Sequence, residues 1–296
     1  MEESLAPNGG APAAQTVELA ASLFALGFVV LSSATFGLAY VVSIATGAQQ
    51  YPLLFLSSSI DYSPGANVGS FGLGLTVAAA ALTVLVRRQQ LRGCAALGRS
   101  AQKANELAAL VGWAACLGAY GVANIQVLLP ALTPRAARAV LPLTPLLSSQ
   151  FHVSLAGHAT SAMLFFPAGT VYMAMQSWID RQLSGDATAA GARNKMRSAA
   201  GVCGVLVYAA TGVYASFFLR SLPRPCFKQY PKNYPCYSEP VYFTLAVMEV
   251  LLYASFTVHL LSYFLEWRVA GLTLRLELNA GAAGAAGGAV VGADAV

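Results

Sequence analysis

Charged side chains are scarce in this chain. Asp, Glu, Lys and Arg together make up 10% of its 296 residues, where a typical soluble domain has roughly 25%. At that density a compact soluble protein of this length could not cover its surface with polar groups. Disorder of the whole chain is excluded from the other side. The hydrophobic fraction is 57% and mean hydropathy is +0.61, whereas disordered chains lack the apolar side chains needed to collapse. Catalytic groups are few as well. There are three histidines and twelve carboxylates. The chain has no paired His-Glu helix motif for zinc, no glycine-rich phosphate loop carrying Lys and Ser or Thr, and no nucleophile elbow. No motif asks for a cofactor or a metal. Lys and Arg total 17, giving a net charge of +5, but no compact basic domain exists to carry a nucleic-acid footprint. What remains is a polytopic membrane protein.

A bilayer core of about 30 Å needs about 20 apolar residues in a helix. Six segments reach that length, near residues 17–45, 68–86, 107–129, 153–179, 199–219 and 241–267. Alternating segments of about 10 residues, the mark of a membrane β-barrel, are absent. Backbone polar groups must pair inside the bilayer, so the spans are expected to be helices. They are rich in Gly, Ala and Ser, which lets helices approach closely where lipid gives no hydrophobic drive for association. The expected fold is therefore all-α, an integral membrane bundle of six transmembrane helices. Residues 1–16 are expected as a disordered arm, 17–268 as the six-span domain, and 269–296 as a low-complexity Ala/Gly tail. The first 16 residues lack a basic stretch and the apolar run after them is nearly 30 long, so an uncleaved anchor is expected rather than a signal peptide.

Orientation follows from Lys and Arg in the loops. Eleven fall on one side, including Arg87, Arg88, Arg92, Arg99 and Lys103 after the second span, and six fall on the other. The richer side should be cytosolic, which puts both termini inside. The five residues 87–103 read as a basic inner loop, which topology alone accounts for; attraction to anionic lipids is the second reading. On the outer side, Cys226 and Cys236 share a loop dense in Pro and Tyr. An oxidising compartment permits a disulfide there; two free thiols are the alternative.

Ionisable groups inside spans are costly and usually face protein or water. Glu249 lies deep in the sixth span, as a proton or cation site or a carboxylate held by burial. His158 lies near the outer end of the fourth, as a polar contact or an interhelical hydrogen bond. His259 and Glu266 lie near the inner end and are expected to reach headgroups. Asn124 and Gln126 close the third span, as helix caps or as members of a polar cluster. Glu239, just before the sixth span, suits a helix N-terminus.

Several of these residues sit in an order that resembles the damage-regulated autophagy modulator (DRAM) family and its relatives. Those relatives include the FGF-receptor-activating type, a fungal type that supports lipid-kinase signalling, and a GPI-anchor remodelling type with a calcofluor-white-hypersensitive N-terminal domain. The matching stretches are Ser57 to Pro64 followed by Gly65 to Leu73, Gly121 to Gln126 with Asn124, and His158 with Gly169 and Tyr172. The last is Ser238-Glu239 before the sixth span. Ser58, Ile60 and Gly65 stand where the family pattern has Asp, Gly and Glu, with Asp61 as a shifted acidic group. The resemblance covers about residues 20 to 268. It implies six spans with cytosolic termini, and an outer polar cluster of Asn124, His158, Glu239 and Asp61. It also implies a non-catalytic modulator of membrane trafficking, autophagy or phosphoinositide signalling, acting through membrane lipids, anionic ones included, or a protein partner. Its setting would be an endomembrane (lysosome, Golgi or ER) or the plasma membrane. Participation in GPI-anchor lipid remodelling and a channel or transporter remain as alternatives.

Overall fold

The computed structural model describes residues 15–47, 56–60, 64–125, 144–183, 189–218, 240–278 and 291–292. Six long helices carry the fold: α1 (Ser22–Ala45), α2 (Gly65–Arg92), α3 (Arg99–Asn124), α4 (Thr144–Leu183), α5 (Ala189–Phe218) and α6 (Pro240–Ala270). Each apolar segment is matched by one helix. Most run several residues past the apolar window, because helical hydrogen bonding continues into the polar flanks. Five of the six are long and apolar enough to cross a membrane. The exception is α4, whose middle holds His158, several Ser and Thr residues and Pro167, all of which lower its hydropathy.

Each helix packs against the next in the chain, and α6 returns to pack against α1. The result is a closed ring rather than a layered bundle. Small residues set the close approaches. A Cβ on Gly118 of α3 would lie 2.5 Å from the backbone nitrogen of Phe165 on α4, and one on Gly201 of α5 would lie 2.7 Å from Ser177 Oγ on α4. On the α1–α6 seam the hydroxyl of Tyr253 lies 2.8 Å from Ser32 Oγ and 3.0 Å from Ser33 Oγ, while its ring meets Phe36 edge-on.

A strand pair closes the ring at one end. Strand β1 (Gln15–Ala20) runs antiparallel to β2 (Thr273–Leu278), with Glu18 opposite Arg275 and Leu19 opposite Leu274; β3 (Val291–Gly292) extends the sheet beyond β2. The sequence reading assigned the start of β1 to a disordered arm and all of β2 to a low-complexity tail. The reason for the difference lies in the local pattern. Thr16-Val-Glu-Leu19 and Thr273-Leu-Arg-Leu-Glu-Leu278 alternate polar and apolar residues with the period of a strand. Gly271, at φ +61°, turns the chain out of α6 into β2, a conformation that glycine adopts without a Cβ penalty. The amide of Ala21 then donates to Leu272 O at 2.9 Å. Leu272, Leu274, Ala21, Ala25, Tyr263 and Trp267 form one buried cluster beneath the sheet. We call this the strand end of the ring, and the opposite one the far end.

Candidate functional site

The ring encloses a lumen with a cavity volume of about 200 Å³, lined by residues of α1, α2, α3, α4 and α6 and by Leu56, Ser57 and Ile60. Its wall is almost entirely apolar, with Leu73, Val77, Ala115, Ala162, Phe165 and Phe256 among the contributors. Along α6 the lining runs from Glu249 to Leu260, about 16 Å at the helical rise of 1.5 Å per residue. The lumen is therefore elongated along the ring.

The far end is crossed by a short 3₁₀ turn, Ser57–Ile60. Glu249 holds it from below. The amide of Leu56 donates to Glu249 Oε2 at 2.8 Å and that of Ser57 donates to Oε1 at 3.3 Å. From α1, Ser43 Oγ donates to Ser59 O at 2.8 Å. Ile60 packs against Ala39, Leu73 and Ala123. Glu249 is thus a carboxylate that binds backbone N–H groups, much as a helix-capping acid does. Across the lumen His158 on α4 bonds through Nδ1 to Ile125 O at 3.0 Å, at the end of α3.

The strand end is closed by ionic groups. Arg87 on α2 pairs with Asp180 on α4, and with Glu266 on α6 at 3.0 Å. Arg197 on α5 pairs with Asp180 at 2.6 Å and with Glu266 at 2.5 Å. Two cations and two carboxylates alternate in a closed set that joins four helices. The remaining donors and acceptors are used as well: Arg87 Nε donates to Gln176 Oε1, Arg197 Nε to Ser262 Oγ, Gln90 Nε2 to Glu266 Oε1, and Trp267 Nε1 to Gln90 Oε1. Both guanidiniums lie against the ring of Tyr263, at 5.2 Å for Arg87 and 4.1 Å for Arg197. His259, Tyr263 and Trp267 recur every four residues and so share one face of α6. The His259 ring is edge-on to Tyr263, and Tyr263 stacks on Trp267.

This arrangement corrects several expectations. The residues read as a basic inner loop are helical. Arg87, Arg88 and Arg92 lie in the last turns of α2, and Arg99 and Lys103 in the first turns of α3. Arg87 is buried and neutralised by its carboxylates. Arg88 and Arg92 both engage Glu106, at 2.6 and 2.5 Å. Arg99 and Lys103 are exposed at the strand end. Arg197, counted as a loop charge, is fully buried in α5. His259 and Glu266 do not reach outward: His259 is fully buried, with its Nε2 3.3 Å from the Tyr263 hydroxyl, and Glu266 belongs to the ionic set.

Asn124 is exposed at the end of α3, and its Nδ2 donates to Tyr120 O at 2.8 Å. Asp61, Glu239, Gln126, Cys226 and Cys236 lie outside the described residues. Sequence reasoning missed Asp180 altogether. Its signal was depth: Asp180, Arg87 and Glu266 each fall near the same end of their apolar segments, so opposite charges arrive at one level. Among the described residues no group of His, Cys, Asp and Glu is arranged to hold a metal ion.

Compared with known proteins, residues 20–272 match the family model described as the Frag1/DRAM/Sfk1/Cwh43P N-terminal domain. No curated protein sequence and no solved structure matches the chain.

Proposed function

The chain belongs to the Frag1/DRAM/Sfk1/Cwh43P N-terminal domain family, and from that membership we propose that it is a non-catalytic, six-span modulator of membrane trafficking, autophagy or phosphoinositide signalling that works by engaging membrane lipid. The observation that carries this reading is the apolar lumen. Its wall holds few polar groups, and those at its ends make structural hydrogen bonds: Glu249 to the 3₁₀ turn, His158 Nδ1 to the end of α3, His259 Nε2 to Tyr263. A nucleophile with a base beside it, which acyl transfer needs, has no counterpart among them.

Six spans are part of the proposal. α4 packs between α3 and α5 in the ring, and the Asp180 pairs put its end level with those of α2 and α6. The lysine and arginine excess at the strand end argues for a cytosolic strand end by the positive-inside rule. Glycosylation acceptors placed at each terminus and in residues 126–143 test this: only the last should be modified. An endomembrane or plasma-membrane setting is read from the family.

A second reading, participation in GPI-anchor lipid remodelling, is favoured by one specific feature, a lumen elongated enough for a lipid chain. Cells lacking the protein separate the two. Altered phosphoinositide or autophagy markers with unchanged anchor lipids are expected; altered anchor lipids with unchanged markers would favour remodelling.

A further inference from the structure

We infer that the lumen is a binding site for one acyl chain of an uncharged, hydroxyl-headed lipid such as a monoacylglycerol, with the head at the Glu249–His158 end. The inference deepens the lipid-engaging reading above and rests on it.

Space sets the tail. A cavity of about 200 Å³ is a third larger than the roughly 150 Å³ apolar cavity that stays dry and takes benzene. It therefore has room for an aliphatic segment of on the order of eight carbons. Spread over about 16 Å of helix, that space is elongated, and a single unbranched chain is the shape that suits it. The wall contributed by Val77, Ala80, Ala115, Ala119, Ala162 and Phe165 offers such a chain contact on every side and no polar partner. Water would find few hydrogen bonds there, so the filled state is apolar.

Chemistry sets the head. A carboxylate has about four lone-pair directions. Glu249 accepts from the amides of Leu56 and Ser57 and from the Ser57 side chain, which leaves accepting capacity on a group that lines the lumen. His158 Nδ1 is bonded to a carbonyl, Ile125 O, which can only accept. Nδ1 therefore carries the hydrogen, and in the neutral ring Nε2 is left as an acceptor. Both lining groups at this end offer acceptors. A head with hydroxyl donors satisfies them, whereas a phosphate would bring negative charge against Glu249. The closed ionic set at the opposite end leaves no free cation among its members to bind an anionic head. Bilayer lipid surrounds the ring, so acyl chains are present wherever the protein is.

The test uses the full-length protein in nanodiscs of phosphatidylcholine. The probe is a monoacylglycerol with a diazirine in its acyl chain and an alkyne for detection, and adducts are mapped by peptide mass spectrometry. Adducts on Ala115, Ala119, Gly169 or Phe256 are expected. Unlabelled monoacylglycerol should compete at least tenfold better than lysophosphatidic acid of equal chain length. Ala162→Phe, which fills the lumen, should lower these adducts at least tenfold. Ala119→Leu serves if that variant does not yield a monodisperse protein. Glu249→Gln, which replaces one acceptor oxygen by a donor, should weaken competition by monoacylglycerol about tenfold. Adducts confined to outward-facing residues such as Phe71, Leu117 and Phe217, labelling indifferent to the filling variant, or equal competition by lysophosphatidic acid would each overturn the site. Lack of lumen adducts in a protein whose loss still shifts phosphoinositide or autophagy markers sinks the acyl site and leaves the broader reading. Lumen adducts with unchanged markers do the reverse.

Discussion

Arg197 on α5 and Glu266 on α6 meet at 2.5 Å, and the guanidinium is entirely shielded from solvent. A buried ion pair carries a large desolvation penalty, which its partners offset only when every donor and acceptor is used. Here the offset comes from four charges in alternation and from Gln90, Gln176, Ser262 and the Tyr263 ring. The physical consequence is asymmetric: the set adds modestly while complete and costs heavily when one member is removed.

Asp180→Asn is therefore expected to destabilise the protein by about 3–5 kcal/mol, since Arg87 and Arg197 would both lose a carboxylate. Thermal unfolding of the detergent-purified protein checks this, with a fall of about 10 °C expected for a chain this long. Adding Arg87→Gln should recover part of the loss, because it removes one of the stranded charges. A single variant within about 1 kcal/mol of the parent would mean the set is not holding the helices.

Glu106→Gln serves as the contrast. Glu106 and Arg92 are 38% and 45% exposed, so water and salt screen the pair. The expected cost is at most about 1 kcal/mol and should shrink as salt is raised. A cost equal to that of Asp180→Asn would contradict the burial argument.

Glu249→Gln should free the 3₁₀ turn. One amide can still donate to the remaining carbonyl oxygen, but the other faces an NH₂ group. Losing a charge-assisted bond of about 1.5–3 kcal/mol should raise hydrogen exchange at the Leu56 and Ser57 amides by one to two orders of magnitude. Exchange elsewhere in α6 should stay as it was. Unchanged exchange at both amides would show that the turn is held from α1 alone.

Gly118→Ala tests the α3–α4 approach. The added methyl would meet the Phe165 backbone and Ser161 O, neither of which can rotate away, so the helices must separate. Overpacking of this kind costs about 1–3 kcal/mol. Gly74→Ala, with nothing near its would-be Cβ, should be neutral or slightly stabilising by the better helix propensity of Ala. The difference between their melting temperatures is the measurement.

The sequence showed the helices and hid their contacts. Runs of apolar residues marked all six helices, α4 the most weakly, because such a run is a local property. They stopped short of the turns that carry Arg87, Asp180 and Arg197, which are polar in composition and buried against one another and Glu266. No window holds both Arg87 and Glu266, which lie 179 positions apart, so the ionic set could be read as loop charge. Glu249 was legible as a costly residue in a span, but its partners are backbone amides that no side-chain pattern announces. The strand pair escaped notice because Ala and Gly dominate the residues after Leu278, and six alternating residues are easily absorbed into a tail.

Joining β1 to β2 imposes an order of assembly. The two strands lie roughly 250 residues apart, and closing so long a loop costs entropy that only their contacts and the α1–α6 seam return. Each pairing from α1–α2 to α5–α6 is between neighbours in the chain and can form as those helices insert. The last contact must wait until α6 and β2 have been made. Until then the α1–α6 seam has not formed, and the ring is open along that side.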